Sequence, residues 1–168
     1  MRRRELLLTL PALAGIAGCA AKARRPAAAS PSHSATIEKA IAYLMSKQAA
    51  DGGWHSDVYG LLRSGQSLTP FVLVALLEAG VDPGAAAVVR AIRFIDEHTD
   101  AGGCIGRADS SAVDYPNYAT GLALRAVVTA KLPGWEPLSQ RMITYLRDQQ
   151  FGEHLGWKPD DAAYGGWG

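Results

Sequence analysis

The chain has 168 residues, 48% of them hydrophobic and 20% charged, with a formal net charge of +1 and two cysteines. So even a balance gives no field to steer the protein toward nucleic acid or an anionic surface. Two cysteines allow at most one disulfide, and none if either is modified.

Residues 1 to 18 read as an export signal. Arg2, Arg3 and Arg4 form a basic start, "LLLTLPALAGIAG" is an apolar run too short to span a bilayer comfortably, and Ile16-Ala17-Gly18-Cys19 follows at once. This matches a bacterial lipobox, in which the Cys thiol takes a diacylglyceryl group and the peptide is cut before it. Cys19 is therefore the expected lipid attachment site, with an ordinary cleaved signal or a short buried helix as the alternatives. Arg3-Arg4-Glu5-Leu6-Leu7 resembles a twin-arginine export signal, although the third arginine also suits the general export route. Removing residues 1 to 18 takes three Arg and one Glu from 17 basic and 16 acidic residues, leaving 14 against 15. Acyl chains on Cys19, at roughly 0.8 kcal/mol per buried methylene, would anchor the protein to a bacterial membrane without spanning it. Residues 19 to 35, rich in Ala, Pro and Ser, read as a flexible tether.

From Thr36 the apolar pattern is helical. Ile37, Ala40, Ile41, Leu44 and Met45 share one face, opposite Glu38, Lys39 and Lys47. In "TPFVLVALLEAG", Thr69 suits an N-cap, Pro70 the first helical position and Gly80 the position after the C-cap, and the residues between are apolar on nearly every side. Such a helix must be covered all round. Asp82-Pro83 opens a third, amphipathic helix, "NYATGLALRAVVTA" gives a fourth that is mostly apolar, and Pro137 opens a fifth that is amphipathic. The order is outer, inner, outer, inner, outer.

A period of 51 residues runs through these helices. Lys39, Arg90 and Arg141 obey it, as do Tyr43, Phe94 and Tyr145, and Leu44, Ile95 and Leu146. On the inner helices Thr69, Phe71, Leu73 and Ala75 map onto Thr120, Leu122, Leu124 and Ala126. The unit is a helical hairpin that buries its inner helix against its neighbours.

Lys39-Ala40-x-x-Tyr43-Leu44-x-x-x-Gln48-x-x-x-Gly52-x-Trp54 resembles the QW motif of squalene-hopene and oxidosqualene cyclases at every fixed position. A second copy from Arg90 keeps Ala91, Phe94, Ile95 and the Gly102-Gly103 turn, with Thr99 in place of Gln and no Trp. A third keeps Arg141, Tyr145, Leu146 and Gln150 and reaches Gly156-Trp157 late, and "YGGWG" at 164 to 168 looks like a further glycine-tryptophan turn. The resemblance covers residues 36 to 168. It implies an all-α fold of the α/α-toroid type, shared by terpenoid cyclases and protein prenyltransferase β subunits, whose inner ring surrounds an apolar cavity for polyisoprenoid chains. In that family the QW motif is structural. Gln48, Gly52 and Trp54 are then expected to clamp adjacent repeats, the Gln amide bonding free backbone groups at a neighbouring helix end. From Thr36 to Gly168 there are about 2.6 units, an incomplete ring.

The catalytic expectations are weak. Squalene cyclases protonate an alkene with an Asp in D-x-D-D-T-A, and the nearest text is Lys158-Pro159-Asp160-Asp161-Ala162-Ala163, which keeps the paired Asp and one Ala. Asp160 and Asp161 are candidates for the acid, but the surrounding glycines and proline read more easily as a loop with solvated carboxylates. The zinc set of the prenyltransferases, an Asp with a Cys two residues on, fails because Asp100 and Cys104 are four apart, and no metal or cofactor is expected. Cys104, in "GGCIG", reads as a half-buried structural thiol. The thioester domains of complement-like proteins share the toroid, but "GGCIG" lacks their G-C-G-E-Q. Tyr115-Pro116-Asn117-Tyr118, at the entrance of an inner helix, reads either as a polar-aromatic lining or as an N-cap at Asn117 with packed tyrosines.

Two classes of function follow. One is a non-catalytic, membrane-tethered repeat protein whose apolar face, expected to be partly uncovered from Phe71 to Leu77 and Leu122 to Val128, holds an isoprenoid lipid, a protein partner or another copy of itself. The other is a fragment or subunit of a terpenoid cyclase-like enzyme acting on a polyisoprenoid.

Overall fold

The computed structural model describes residues 31–108 and 115–168. The expected export signal, Cys19 and most of the tether lie outside the described residues. All regular structure among the described residues is helical: α1 (Pro31–Ser46), α2 (Leu68–Glu78), α3 (Ala86–His98), α4 (Pro116–Ala130) and α5 (Trp135–Gln149), with single 3-10 turns at Gly60–Leu62 and Glu153–Leu155. None of the described helices is long and apolar enough to cross a membrane.

Helices α2 and α4 form the centre. They pack on each other, α3 packs on both, and α5 packs on α4. The contact face of α4 is made of small residues: Ala119, Ala123, Ala126 and Ala130 recur at helical spacing and are buried, which lets larger neighbours approach the helix closely. Leu73 and Leu76 of α2, Val88, Ala91 and Ile95 of α3, and Met142 of α5 complete the core. Helix α1 is the least embedded, its Ile41 and Leu44 only partly buried against that core. Gly80, at φ +87°, ends α2, its N–H bonding the Leu77 carbonyl while Val81 N–H bonds that of Leu76.

Several local expectations change. Helix α1 starts at Pro31, inside the stretch read as tether, because Pro is favoured in a first helical turn. Thr69 is not the N-cap of α2. It lies within the helix, fully buried, and its hydroxyl accepts the Trp54 N–H at 2.9 Å. Asp82 and Pro83 form a turn, with Gly84 N–H on the Asp82 carboxylate and Ala85 N–H on its carbonyl, and α3 starts only at Ala86. Tyr115, not Asn117, precedes α4, with Pro116 in the first turn. Helix α5 starts at Trp135, after Gly134 in the left-handed region, so Pro137 lies inside its first turn.

Candidate functional site

Two features recur along the chain: a glycine turn after each outer helix, and an apolar face at the N-terminal end of each inner helix. The turn is the same three times over. After α1, Ala49 N–H bonds Gly53 O and Gly52 N–H bonds Ala49 O. After α3, the equivalent bonds join Asp100 to Cys104 and Gly103 to Asp100. After α5, Phe151 N–H bonds Gly166 O, so the third copy closes at Gly165-Gly166-Trp167 and not at Gly156-Trp157. Residues 152 to 164 are a loop added inside the third turn, in which Trp157 stacks on Phe151 at 4.7 Å.

Side-chain bonds confirm the alignment of the turns. Gln48 Nε2 donates to Gly52 O at 2.9 Å, and Gln150 Nε2 to Gly165 O at 2.8 Å. Trp54 Nε1 donates to Leu44 O and Trp167 Nε1 to Leu146 O, both at 2.7 Å, so each indole covers a carbonyl in the last turn of its own outer helix. In the second copy Ile105 stands where Trp54 does, and the Thr99 hydroxyl takes the equivalent carbonyl, Ile95 O, at 2.6 Å. Thr99 and Ile105 thus share between them what Trp does alone.

The first two turns also grip the following helix. Gln48 Nε2 donates to Ala87 O at 2.8 Å in the first turn of α3, and Arg90 donates to Gln48 Oε1. The amide meets a carbonyl that is already part of the helix, not a free group at its end. Gly52, at φ +90°, lies so close to α3 that a Cβ there would stand 2.5 Å from Arg90 O, and Gly103, at φ +89°, has Arg141 O at 2.1 Å from the same position. Only glycine fits either place. Trp54, 3% exposed, is part of the core cluster. His55 braces the first turn, with Nε2 2.9 Å from Asp51 Oδ2 and its ring edge on Phe94.

At the second junction lies a small polar cluster. Cys104 is fully buried rather than half-buried, and its Sγ faces Ile105 O. The Tyr145 hydroxyl donates to Asn117 Oδ1 at 2.7 Å and receives Arg107 Nη2 at 3.4 Å. Burial, reinforced by a bond with the Cys104 thiol, pushes the Tyr145 phenol up to about 12, against the pull of the Arg107 guanidinium. Tyr145 is therefore a neutral link between α4 and α5. Among the described residues no group of His, Cys, Asp and Glu could hold a metal ion.

The inner-helix ends carry two adjoining apolar cavities. One, of about 410 Å³, is lined by Tyr59, Leu61, Leu62, Ser67, Leu68 and Phe71, and the other, of about 570 Å³, by Asn117, Gly121, Leu122, Leu146, Trp167 and Gly168, with Tyr115 and Tyr118 lining both. Ser67, just before α2, and Phe71 on it have Tyr118 and Leu122 of α4 as their 51-residue counterparts, so the same surface is presented twice. Phe71 is 52% exposed, while Leu73, Leu76 and Leu77 on the same helix are buried, so the open apolar surface is narrower than the sequence implied. Asn117 is no cap: its Nδ2 donates to Gly168 O at 2.7 Å across the floor of the larger cavity. Nor are the tyrosines packed away, since Tyr115 and Tyr118 are mostly exposed. Tyr115 holds φ +41°, a left-handed backbone that costs a bulky residue on the order of 1–3 kcal/mol and concentrates at functional sites. Tyr59, Leu61, Leu68 and Gly121 carried no signal in the sequence, because none belongs to the periodic core positions, and Trp167 was marked only as part of a glycine-tryptophan turn.

Asp160 and Asp161 lie in the loop added to the third turn. Both are exposed, Asp161 Oδ2 accepts the Lys158 N–H at 2.7 Å, and neither lines a cavity described above.

An alignment of 62 positions that covers 33% of this chain is 44% identical to "Thioester-containing protein 1 allele S3" and to its allele S1, both of Anopheles gambiae. That alignment covers 5% of those proteins, so the chain corresponds to a small part of their length. No family model and no solved structure matches the chain.

Proposed function

We propose that this is an exported, lipid-anchored repeat protein of the squalene-cyclase and prenyltransferase-like class, an incomplete α/α toroid that binds an isoprenoid chain without transforming it. One observation carries the reading: the paired cavities at the starts of α2 and α4 are lined mainly by aromatic and aliphatic side chains, with no Asp, Glu, Lys, Arg or His among the described residues that line them. Their sizes fall within the roughly 300–1,000 Å³ usual for small-molecule sites. A branched apolar chain stacks well on Tyr, Phe and Trp faces, and Asn117, Ser67 and the tyrosine hydroxyls can bond a terminal alcohol or phosphate ester. Cyclisation needs a carboxylic acid held protonated against the alkene, and Asp160 and Asp161 are solvated and outside the cavities. The recurrence of the turn bonds after α1, α3 and α5 supports the repeat reading. The alternative, a subunit of a cyclase-like enzyme, requires the acid to come from elsewhere.

Equilibrium binding of tritiated geranylgeraniol to the full chain tests this. Gly121 lines the larger cavity and a Cβ built on it meets nothing within 4 Å among the described residues, so Gly121→Trp directs a large ring toward that space. Saturable binding that Gly121→Trp weakens at least tenfold, with circular dichroism unchanged, is expected. No saturable binding, or binding indifferent to the substitution, overturns the proposal.

A further inference from the structure

The grip of a glycine turn on the next outer helix is made twice among the described residues, and each of its two halves is also present once without a described partner. The first turn seats on α3 and the second on α5, and both of the glycines at the contact, Gly52 and Gly103, are buried. The third turn has the same backbone bonds, the same Gln amide and the same indole, yet Gly165, at φ +80°, is exposed, and a Cβ built on it would meet nothing within 4 Å among the described residues. Gln48 reaches beyond its own turn to Ala87 O and Arg90, whereas Gln150 is bonded to Gly165 O inside its own turn. The socket is built, and no described residue lies against its glycine.

The opposite end offers the helix. In α3 the ring under the first turn is Phe94, and beside it Val88 and Ala91 belong to the core; all three are fully buried. Their counterparts one period earlier on α1 are Ile37, Ala40 and Tyr43, and these are exposed, Ile37 at 49% and Tyr43 at 61%. The first turn covers Phe94 with Gly53 and the edge of His55, and no described residue does the same for Tyr43. Lys39 stands where Arg90 and Arg141 stand, with a cation positioned to reach the oxygen of a Gln amide as Arg90 reaches Gln48. An apolar, aromatic helix face in water and a preformed glycine socket are complementary because the same chain already joins this pair of surfaces twice.

We infer that two copies of this chain join head to tail, the turn at Gly165-Gly166-Trp167 of one copy seating on α1 of the other. The contact extends the interface that already links the first turn to α3 and the second to α5. It is independent of what the apolar cavities hold, though Trp167 stands at both surfaces. A head-to-tail contact of this kind either closes into a ring or continues as an open array, according to the rotation between copies.

The test uses the full chain carrying Cys19→Ala, so that no acyl group contributes. Sedimentation velocity across a hundredfold range of concentration should show reversible self-association. Gly165→Ala, which has room in the isolated chain but would meet the seated helix, and Tyr43→Glu, on a face exposed in the isolated chain, should each raise the dissociation constant at least tenfold while leaving helicity nearly unchanged. The positive φ of Gly165 should lower the melting temperature of Gly165→Ala no more than Gly80→Ala does, at φ +87° in equally open space. A Gln150→Cys chain mixed with a Thr36→Cys chain should be joined by a short bismaleimide, since Gln48 and Ala87, their counterparts, are bonded at 2.8 Å. The same reagent should leave the Thr36→Cys chain alone unjoined. A concentration-independent monomer overturns the inference. So does association that Gly165→Ala and Tyr43→Glu both leave intact, which would place the contact on the apolar cavities or the N-terminal segment.

Discussion

Trp54 and Trp167 make the same hydrogen bond in the same turn, which turns their substitution into a measurement of burial. Each indole donates to a carbonyl in the last turn of its outer helix at 2.7 Å, but Trp54 is 3% exposed and Trp167 is 50% exposed. Trp54→Ala removes a side chain packed in the core cluster and leaves a cavity, a change that costs about 3–5 kcal/mol at buried aromatic sites. The lost bond adds little, because the Leu44 carbonyl still accepts the Lys47 N–H. Trp167→Ala removes a ring that covers roughly half as much, at about 25 cal/mol per Å² of apolar area, with no closed cavity left behind, so its cost should be about 1–2 kcal/mol. Urea denaturation of the full chain, followed by circular dichroism, measures both. A gap of about 2 kcal/mol between the two variants is expected from the burial difference alone. Equal midpoints would refute the reasoning, because they would mean that the shared hydrogen bond, and not burial of Trp54 in the repeat junction, sets the energy.

Other perturbations separate the remaining parts of the account. Gly103→Ala places a Cβ 2.1 Å from Arg141 O at a positive φ, and should cost about 3 kcal/mol from overpacking and backbone strain together, whereas Gly80→Ala, at similar φ in open space, should cost only about 1 kcal/mol. The urea midpoints decide between them. Because the fold raises the Tyr145 phenol from 10.0 to about 12, it favours the neutral form, and the stability that this contributes is complete below pH 10 and lost as the pH climbs toward 12. Ultraviolet titration of the six tyrosines should show Tyr145 in the late step beside Tyr164, whose phenol is raised by its bond to Glu153, and Tyr145→Phe should remove one tyrosine from that step. Asp160→Asn should leave squalene unchanged in extracts analysed by mass spectrometry, as the native chain does; a cyclised product lost in the variant would establish an enzyme. Expression with a labelled fatty acid should label the native chain and not Cys19→Ala.

Helix type and the 51-residue period were legible because both are written in core residues, which recur wherever the hairpin recurs. The position of the third turn was not. Gly156-Trp157 comes first along the chain and mimics the motif, and only the backbone bonds from Phe151 and the indole bond of Trp167 identify the true copy. Thr69 and Asn117 misled for a common reason: residues that suit an N-cap in isolation were taken by partners far along the chain, Trp54 in one case and Tyr145 and Gly168 in the other. The cavity lining was the least legible part. Tyr59 and Leu61 come from an irregular segment and Gly121 from an open position on α4, so no periodicity marks them, and Trp167 was legible only as a turn residue.

The central claim is that an isoprenoid chain occupies the face shared by α2 and α4, and methyl NMR tests it most directly. With leucine and valine methyls labelled, titration with geranylgeraniol should shift Leu61, Leu62, Leu68, Leu122 and Leu146 at the cavities, and leave the buried Leu73, Val88 and Val127 unmoved. Shifts spread evenly over core and surface, or no shift at ligand saturation, would contradict it.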